Sequence, residues 1–127
     1  MFRDNSFSNY QKQSSQTAIY DNVDLVIYPA LGLVSEAGEV ADKVKKVLRD
    51  NGGHFSPETK QAIADELGDV LWYIAAMCND LNINMEDVAQ NNLNKLNSRM
   101  ARNVIKGSGD YRWVICYQQT TNHSYTH

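Results

Sequence analysis

Along most of the chain apolar side chains return every three or four positions, and nowhere do they alternate with polar ones over a strand's length. Four helices and a tail follow from that pattern. The first, residues 8–20, is polar and weakly patterned. The second starts at Pro29, whose fixed φ suits the first helical position, and carries Val34, Ala37, Val40, Val44 and Leu48 until Asn51-Gly52-Gly53 stops it. The third opens at Ser56-Pro57-Glu58, which supplies a capping hydroxyl, a first-turn proline and an early acid, and it runs to about Leu81. The fourth follows Asn84, places Glu86 and Asp87 where the helix dipole favours acids, and ends near Arg102, before Gly107-Ser108-Gly109. The expected fold class is all-α, a four-helix-type bundle.

The third helix reads V-L-W-Y-I-A-A-M-C over residues 70–78, apolar nearly all the way round. A helix without a solvated face is buried on both sides. In so short a chain the second covering surface is expected from another subunit; the alternative is a central helix wrapped by its own neighbours.

With 127 residues, one core is expected, in a domain spanning residues 1–112, followed by a flexible tail over residues 113–127 whose end is polar. A hydrophobic content of 43% and a charged content of 21% are those of an ordinary soluble domain. The net charge of −3 gives no footprint for polymeric nucleic acid, which needs clustered Lys and Arg. Cys78 and Cys116 have neither metal-site nor disulfide-framework spacing, so both are expected as free thiols in a reducing compartment. The polar start lacks the apolar stretch of a signal peptide, and no run approaches the ~20 residues that span a bilayer, so a cytoplasmic protein without membrane contact is expected.

Candidate chemistry comes from two stretches that echo each other: Glu36-Ala37-Gly38-Glu39-Val40 and Glu66-Leu67-Gly68-Asp69-Val70. At ~100° per residue, Glu36, Glu39 and Lys43 lie within about 60° of one another on one helix. Glu66, Asp69 and Tyr73 do so on the next. If the two helices form an antiparallel hairpin, four carboxylates can converge, and such a cluster either protonates or binds a cation. The ligand set is all oxygen, and none of His54, His123 or His127 stands in Glu-x-x-His spacing, which disfavours a di-iron site and zinc. Hard oxygen ligands select Mg²⁺ or Mn²⁺. Surface acid pairs are common and usually only solvated. Here Gly38 and Gly68, each costing about 1 kcal/mol relative to Ala inside a helix, add weight, because close helix approach would explain both. On the fourth helix Lys95, Arg99 and Arg102 share a face, as a polyphosphate site or an ordinary basic helix end would have them.

The segments Leu33-Val34-Ser35-Glu36-Ala37-Gly38-Glu39-Val40-Ala41, Glu66-Leu67-Gly68-Asp69-Val70-Leu71-Trp72-Tyr73 and Asn94-Lys95-Leu96 with Arg99 resemble the MazG-like nucleotide pyrophosphohydrolases, of the all-alpha NTP pyrophosphatase group. The family signature is Glu-x-x-Glu, a variable gap and Glu-x-x-Asp, and the likeness covers about residues 10–112. It implies hydrolysis of (deoxy)nucleoside triphosphates to monophosphate and pyrophosphate, with two or three Mg²⁺ or Mn²⁺ ions per site. It also implies Glu36, Glu39, Glu66 and Asp69 as metal ligands, with Glu36 or Glu39 as the acid that takes a proton from water. Lys43, Lys95 and Arg99 would face phosphate, Tyr73 would approach sugar or base, and the protein would be a homodimer or homotetramer. Two other readings share these residues: a phosphoribosyl-ATP pyrophosphohydrolase-like enzyme, and a non-catalytic nucleotide- or metal-binding bundle. The preferred nucleobase stays open among guanine, pyrimidine and damaged nucleotides, with unmodified (d)NTPs favoured.

Overall fold

A computed structural model describes residues 4–102 of the chain. Among them are four α-helices and no strand: α1 Phe7–Ser15, α2 Ile27–Asp50, α3 Pro57–Asp80 and α4 Met85–Ala101, with a short 3₁₀ turn at Asn22–Asp24. The predicted tail and Cys116 lie outside the described residues. The chain divides after Ala89 into two units, Met1–Ala89 and Gln90–His127, so most of α4 belongs to the second. Among the described residues no helix is long and apolar enough to cross a membrane.

Local chemistry sets the helix ends. The Ser56 hydroxyl accepts from Thr59 N at 3.2 Å ahead of Pro57, a cap of about 1 kcal/mol. Asn84 Oδ1 accepts from Glu86 N at 2.8 Å at the start of α4. At the end of α2 the Val47 carbonyl takes N–H groups from Asn51 and Gly53, and the chain turns through Gly52 and Gly53 at φ +58° and +80°. Only glycine adopts such angles without strain.

Within the first unit α3 is central, packed by α2 along its length and by α1. The α2–α3 pair is antiparallel: Lys43 meets Glu66 near the turn, and Gly32 meets Tyr73 farther from it. A core of Ala75, Cys78 and Met85 is extended by half-buried Tyr10, Leu71 and Ile74. α1 is pinned by polar contacts, with Gln11 Nε2 donating to Asn79 Oδ1 and Ile83 O (2.9 Å each) and Gln11 Oε1 accepting from Met85 N at 2.8 Å.

Three expectations change. The apolar run of α3 has α1 and α2 of its own chain over it, with Ala75, Ala76 and Cys78 buried, so the run does not by itself call for a second subunit. Nor do Gly38 and Gly68 mark a close approach within this chain, since a Cβ on either would meet nothing within 4 Å. The close approach is at Gly32, where a Cβ would run into the Tyr73 ring. The first helix is also shorter than predicted, ending at Ser15, because residues 16–26 lead away as an irregular segment.

Candidate active site

The antiparallel pairing sets a row on α2 (Tyr28, Gly32, Glu36, Lys43) against a row on α3 (Tyr73, Asp69, Glu66). At mid-row, one carboxylate oxygen each from Glu36, Glu66 and Asp69 lies within 4.8 Å of the others. The fourth predicted acid, Glu39, is not in this triple. It stands exposed three residues after Glu36, about 60° round the helix. Its charge still reaches the cluster. The Glu36 carboxyl is pushed above its ordinary range, first by desolvation, then by the charges of Asp69, Glu66 and Glu39.

Lys43 answers part of this charge, with Nζ 2.8 Å from Glu66 Oε1. The hydrogen bond to Glu66 holds the ammonium pKa up despite desolvation, with Glu39 adding to it. The side chain expected to face phosphate is thus committed to an acid. Lys95, exposed, and Arg99, half-buried, lie on α4 beyond Ala89 and belong to the second unit.

Tyr73 borders the acids on the side away from the turn. Its hydroxyl is driven up chiefly by burial, then by the neighbouring Tyr28, and then by the charges of Glu36 and Asp69. From Tyr73 a set of rings leads outward. The Trp72 and Tyr73 rings meet edge to face at 5.0 Å, Tyr28 lies 6.2 Å from Tyr73, and Tyr20 stacks on Tyr28 at 5.2 Å. Trp72 Nε1 donates to Thr17 Oγ1 at 2.7 Å, which fixes the indole. The rings enclose a cavity of 360 Å³ bordered also by Ile19, Asp21 and Asp24.

Only Tyr73 of this wall was expected from sequence. The rest comes from residues 17–28, whose path is held by Asp80 at the end of α3. Its carboxylate accepts from Tyr20 Oη at 2.8 Å and Val26 N at 2.7 Å, and Val26 sits at φ +67°, an angle costly for a β-branched residue. Burial and the Asp80 bond push the Tyr20 hydroxyl up to about 12. The available signal was a surplus of aromatics, Tyr20, Tyr28, Trp72 and Tyr73, on segments beside the acid motifs.

The model of the MazG nucleotide pyrophosphohydrolase domain matches residues 29–103, which hold both acid pairs. The chain belongs to the MazG nucleotide pyrophosphohydrolase family. Membership implies action on nucleotides and a divalent metal, and the carboxylate triple of this MazG chain is a cluster of the kind that could hold one. The chain is also similar to the "Gene 37 protein" of Mycobacterium phage L5, 49% identical over 109 residues that cover 81% of this chain and 96% of that protein. No solved structure gave a significant match to this MazG chain.

Proposed function

We propose that this MazG chain hydrolyses the bond between the α- and β-phosphates of (deoxy)nucleoside triphosphates, yielding a nucleoside monophosphate and pyrophosphate. One observation carries this reading: a triple of converging carboxylates shares Tyr73 as its border with a ring-walled cavity. A reaction centre and a place for a flat heterocycle are thereby adjacent. Concave sites that pair aromatic faces with a few placed polar groups are a usual form of small-molecule site.

Glu36, Glu66 and Asp69 would hold Mg²⁺ or Mn²⁺; three converging carboxylates share one ammonium partner, Lys43, and the Glu36 carboxyl is raised by desolvation first and by the neighbouring acids next. A bound divalent cation supplies acidity to water and neutralises phosphate charge. The chain's own groups do the rest. Tyr20, Tyr28 and Trp72 stack the base, and Tyr73 holds the sugar side against the acids. Glu39, outside the triple yet close enough to influence it, accepts the proton of the attacking water at its carboxylate; this replaces its expected role as a fourth ligand. Lys43, beside Glu66, is assigned to the phosphates, whose displacement as pyrophosphate needs positive charge.

Bond choice tests the proposal. Hydrolysis in ¹⁸O-labelled water is expected to give pyrophosphate and a labelled nucleoside monophosphate by mass spectrometry. Nucleoside diphosphate with labelled orthophosphate would refute the reaction, and label in pyrophosphate would refute attack at the α-phosphorus.

The proposal includes a second copy of the chain. Ile27, Leu31, Val34, Gly38 and Ala41 follow the alternating four- and three-residue steps of a packing seam along α2, which passes Lys45 before Leu48, with Ile27, Leu31, Val34 and Leu48 at 64%, 69%, 72% and 65% exposure. An apolar stripe of this size on a soluble domain marks a contact surface, and Gly38 in its middle admits a close helix. Light scattering is expected to give at least twice the 14.4 kDa chain mass, falling toward one chain for Val34→Glu. A wild-type particle of 14.4 kDa would overturn the association.

A further inference from the structure

The aromatic cavity carries two carboxylates that the proposed reaction does not use. Asp21 and Asp24, at the two ends of the 3₁₀ turn, border it together with Tyr20, Tyr28, Trp72 and Tyr73. Neither side chain has a hydrogen-bond or ion-pair partner among the described residues. Asp80, by contrast, is fully engaged by Tyr20 and Val26. The two aspartates also belong to a different element from the reaction centre: after burial and Tyr28, the charges acting on Tyr73 are those of Glu36 on α2 and Asp69 on α3, whereas Asp21 and Asp24 flank the 3₁₀ turn. A heterocycle stacked on these rings, with its phosphates toward Glu36 and Asp69, would turn its outer edge to Asp21 and Asp24.

An ionised carboxylate only accepts hydrogen bonds. Guanine is the base whose pairing edge sets two donors side by side, the N1–H and the N2 amino group, and one carboxylate can take both. Adenine and cytosine each pair a donor amino group with an acceptor nitrogen, which a carboxylate repels. Thymine and uracil offer one N–H flanked by two carbonyl oxygens, the poorest match. We propose that Asp21 and Asp24 make this cavity selective for guanine nucleotides, with thymine and uracil nucleotides most disfavoured. The inference rests on the reading of the cavity as the nucleoside site and adds the base to it.

The decisive measurement has two arms. In the first, kcat/KM for pyrophosphate release is compared across dGTP, dATP, dCTP and dTTP. Wild type is expected to favour dGTP over dTTP by roughly fivefold to 150-fold, the range one good bidentate base contact gives. Asp21→Asn, Asp24→Asn or the double variant should reduce that ratio several-fold while dTTP turnover is kept or raised, since an amide can donate as well as accept. In the second arm no catalysis is needed. Trp113→Phe leaves Trp72 as the only indole, and its fluorescence is titrated with dGMP and dTMP. Tighter quenching by dGMP, weakened by the same aspartate substitutions, supports the selectivity. Equal kcat/KM for the four substrates, or a guanine preference untouched by both substitutions, overturns it and leaves the reaction intact. Absence of pyrophosphate from every substrate overturns the reaction, and the titration then decides on the cavity alone: equal quenching by both monophosphates refutes selectivity there too.

Discussion

Asp69→Asn and Glu36→Gln are each expected to cut pyrophosphate release by roughly 100-fold or more, the scale on which single charged groups at a reaction centre act. Their far-ultraviolet circular dichroism should stay helical. Both side chains belong to the triple whose oxygens lie within 4.8 Å of one another, and each is half-buried or exposed, so neither amide swap opens a cavity in the core. The two variants should also need more Mg²⁺ or Mn²⁺ for half-maximal rate. Glu39→Gln behaves differently under the roles assigned here. It lowers turnover while leaving the metal midpoint close to wild type.

The same cluster makes an opposite prediction for stability, read in the same experiment. Three acids face one ammonium group, and the Glu36 carboxyl is raised first by desolvation and then by the charges of its acidic neighbours. In chelator, Glu36→Gln should therefore melt no lower than wild type, whereas a side chain that only held the helices together would lower the midpoint on removal. Full activity of either triple variant in metal-replete buffer, or a wild-type metal midpoint in both, would remove the cluster from the mechanism.

Why the acids were legible from sequence while the cavity was not has a physical reason. Helix bounds depend on short-range chemistry, so Ser56-Pro57 and Gly52-Gly53 announced the turn between α2 and α3 almost to the residue. Acids three apart lie near one face whatever the helix packs against, which made Glu66 and Asp69 readable as a pair. Which of Glu36 and Glu39 turns toward α3 depends on the rotation of one helix against the other. That rotation is settled by contacts far apart in sequence, such as Gly32 on Tyr73. The cavity depends on such contacts entirely. Its wall joins residues 17–28 to Trp72 and Tyr73, and it keeps its shape through a carboxylate more than fifty residues downstream. No periodicity records an irregular segment with a valine at positive φ.

Gly32→Ala should lower the melting midpoint, whereas Gly68→Ala should raise it, although the chemical change is identical and both sites are inside helices. Replacing glycine by alanine in a helix interior stabilises by about 0.5–1 kcal/mol through backbone entropy and helix propensity. At Gly68 nothing lies within 4 Å of the new methyl group, so the gain should appear undiminished. At Gly32 the methyl would fall inside the Tyr73 ring, against Cε1, Cζ and Cδ1. That ring cannot simply swing away, because the Trp72 edge lies 5.0 Å and the Tyr28 ring 6.2 Å from it. Overpacking of this kind costs about 1–3 kcal/mol, enough to outweigh the propensity gain. With ~4–8 °C per kcal/mol for a domain of this size, a net fall of several degrees is expected. Because Tyr73 borders both the acids and the cavity, nucleotide KM should rise more than kcat falls. The double variant Gly32→Ala with Tyr73→Leu separates packing from function. Its smaller, flexible side chain should restore most of the lost stability, so the two changes are strongly non-additive. The raised KM should persist, since the ring itself is gone. If Gly32→Ala instead melts as high as Gly68→Ala with unchanged KM, Tyr73 is not seated on α2 and the border between acids and cavity is drawn in the wrong place.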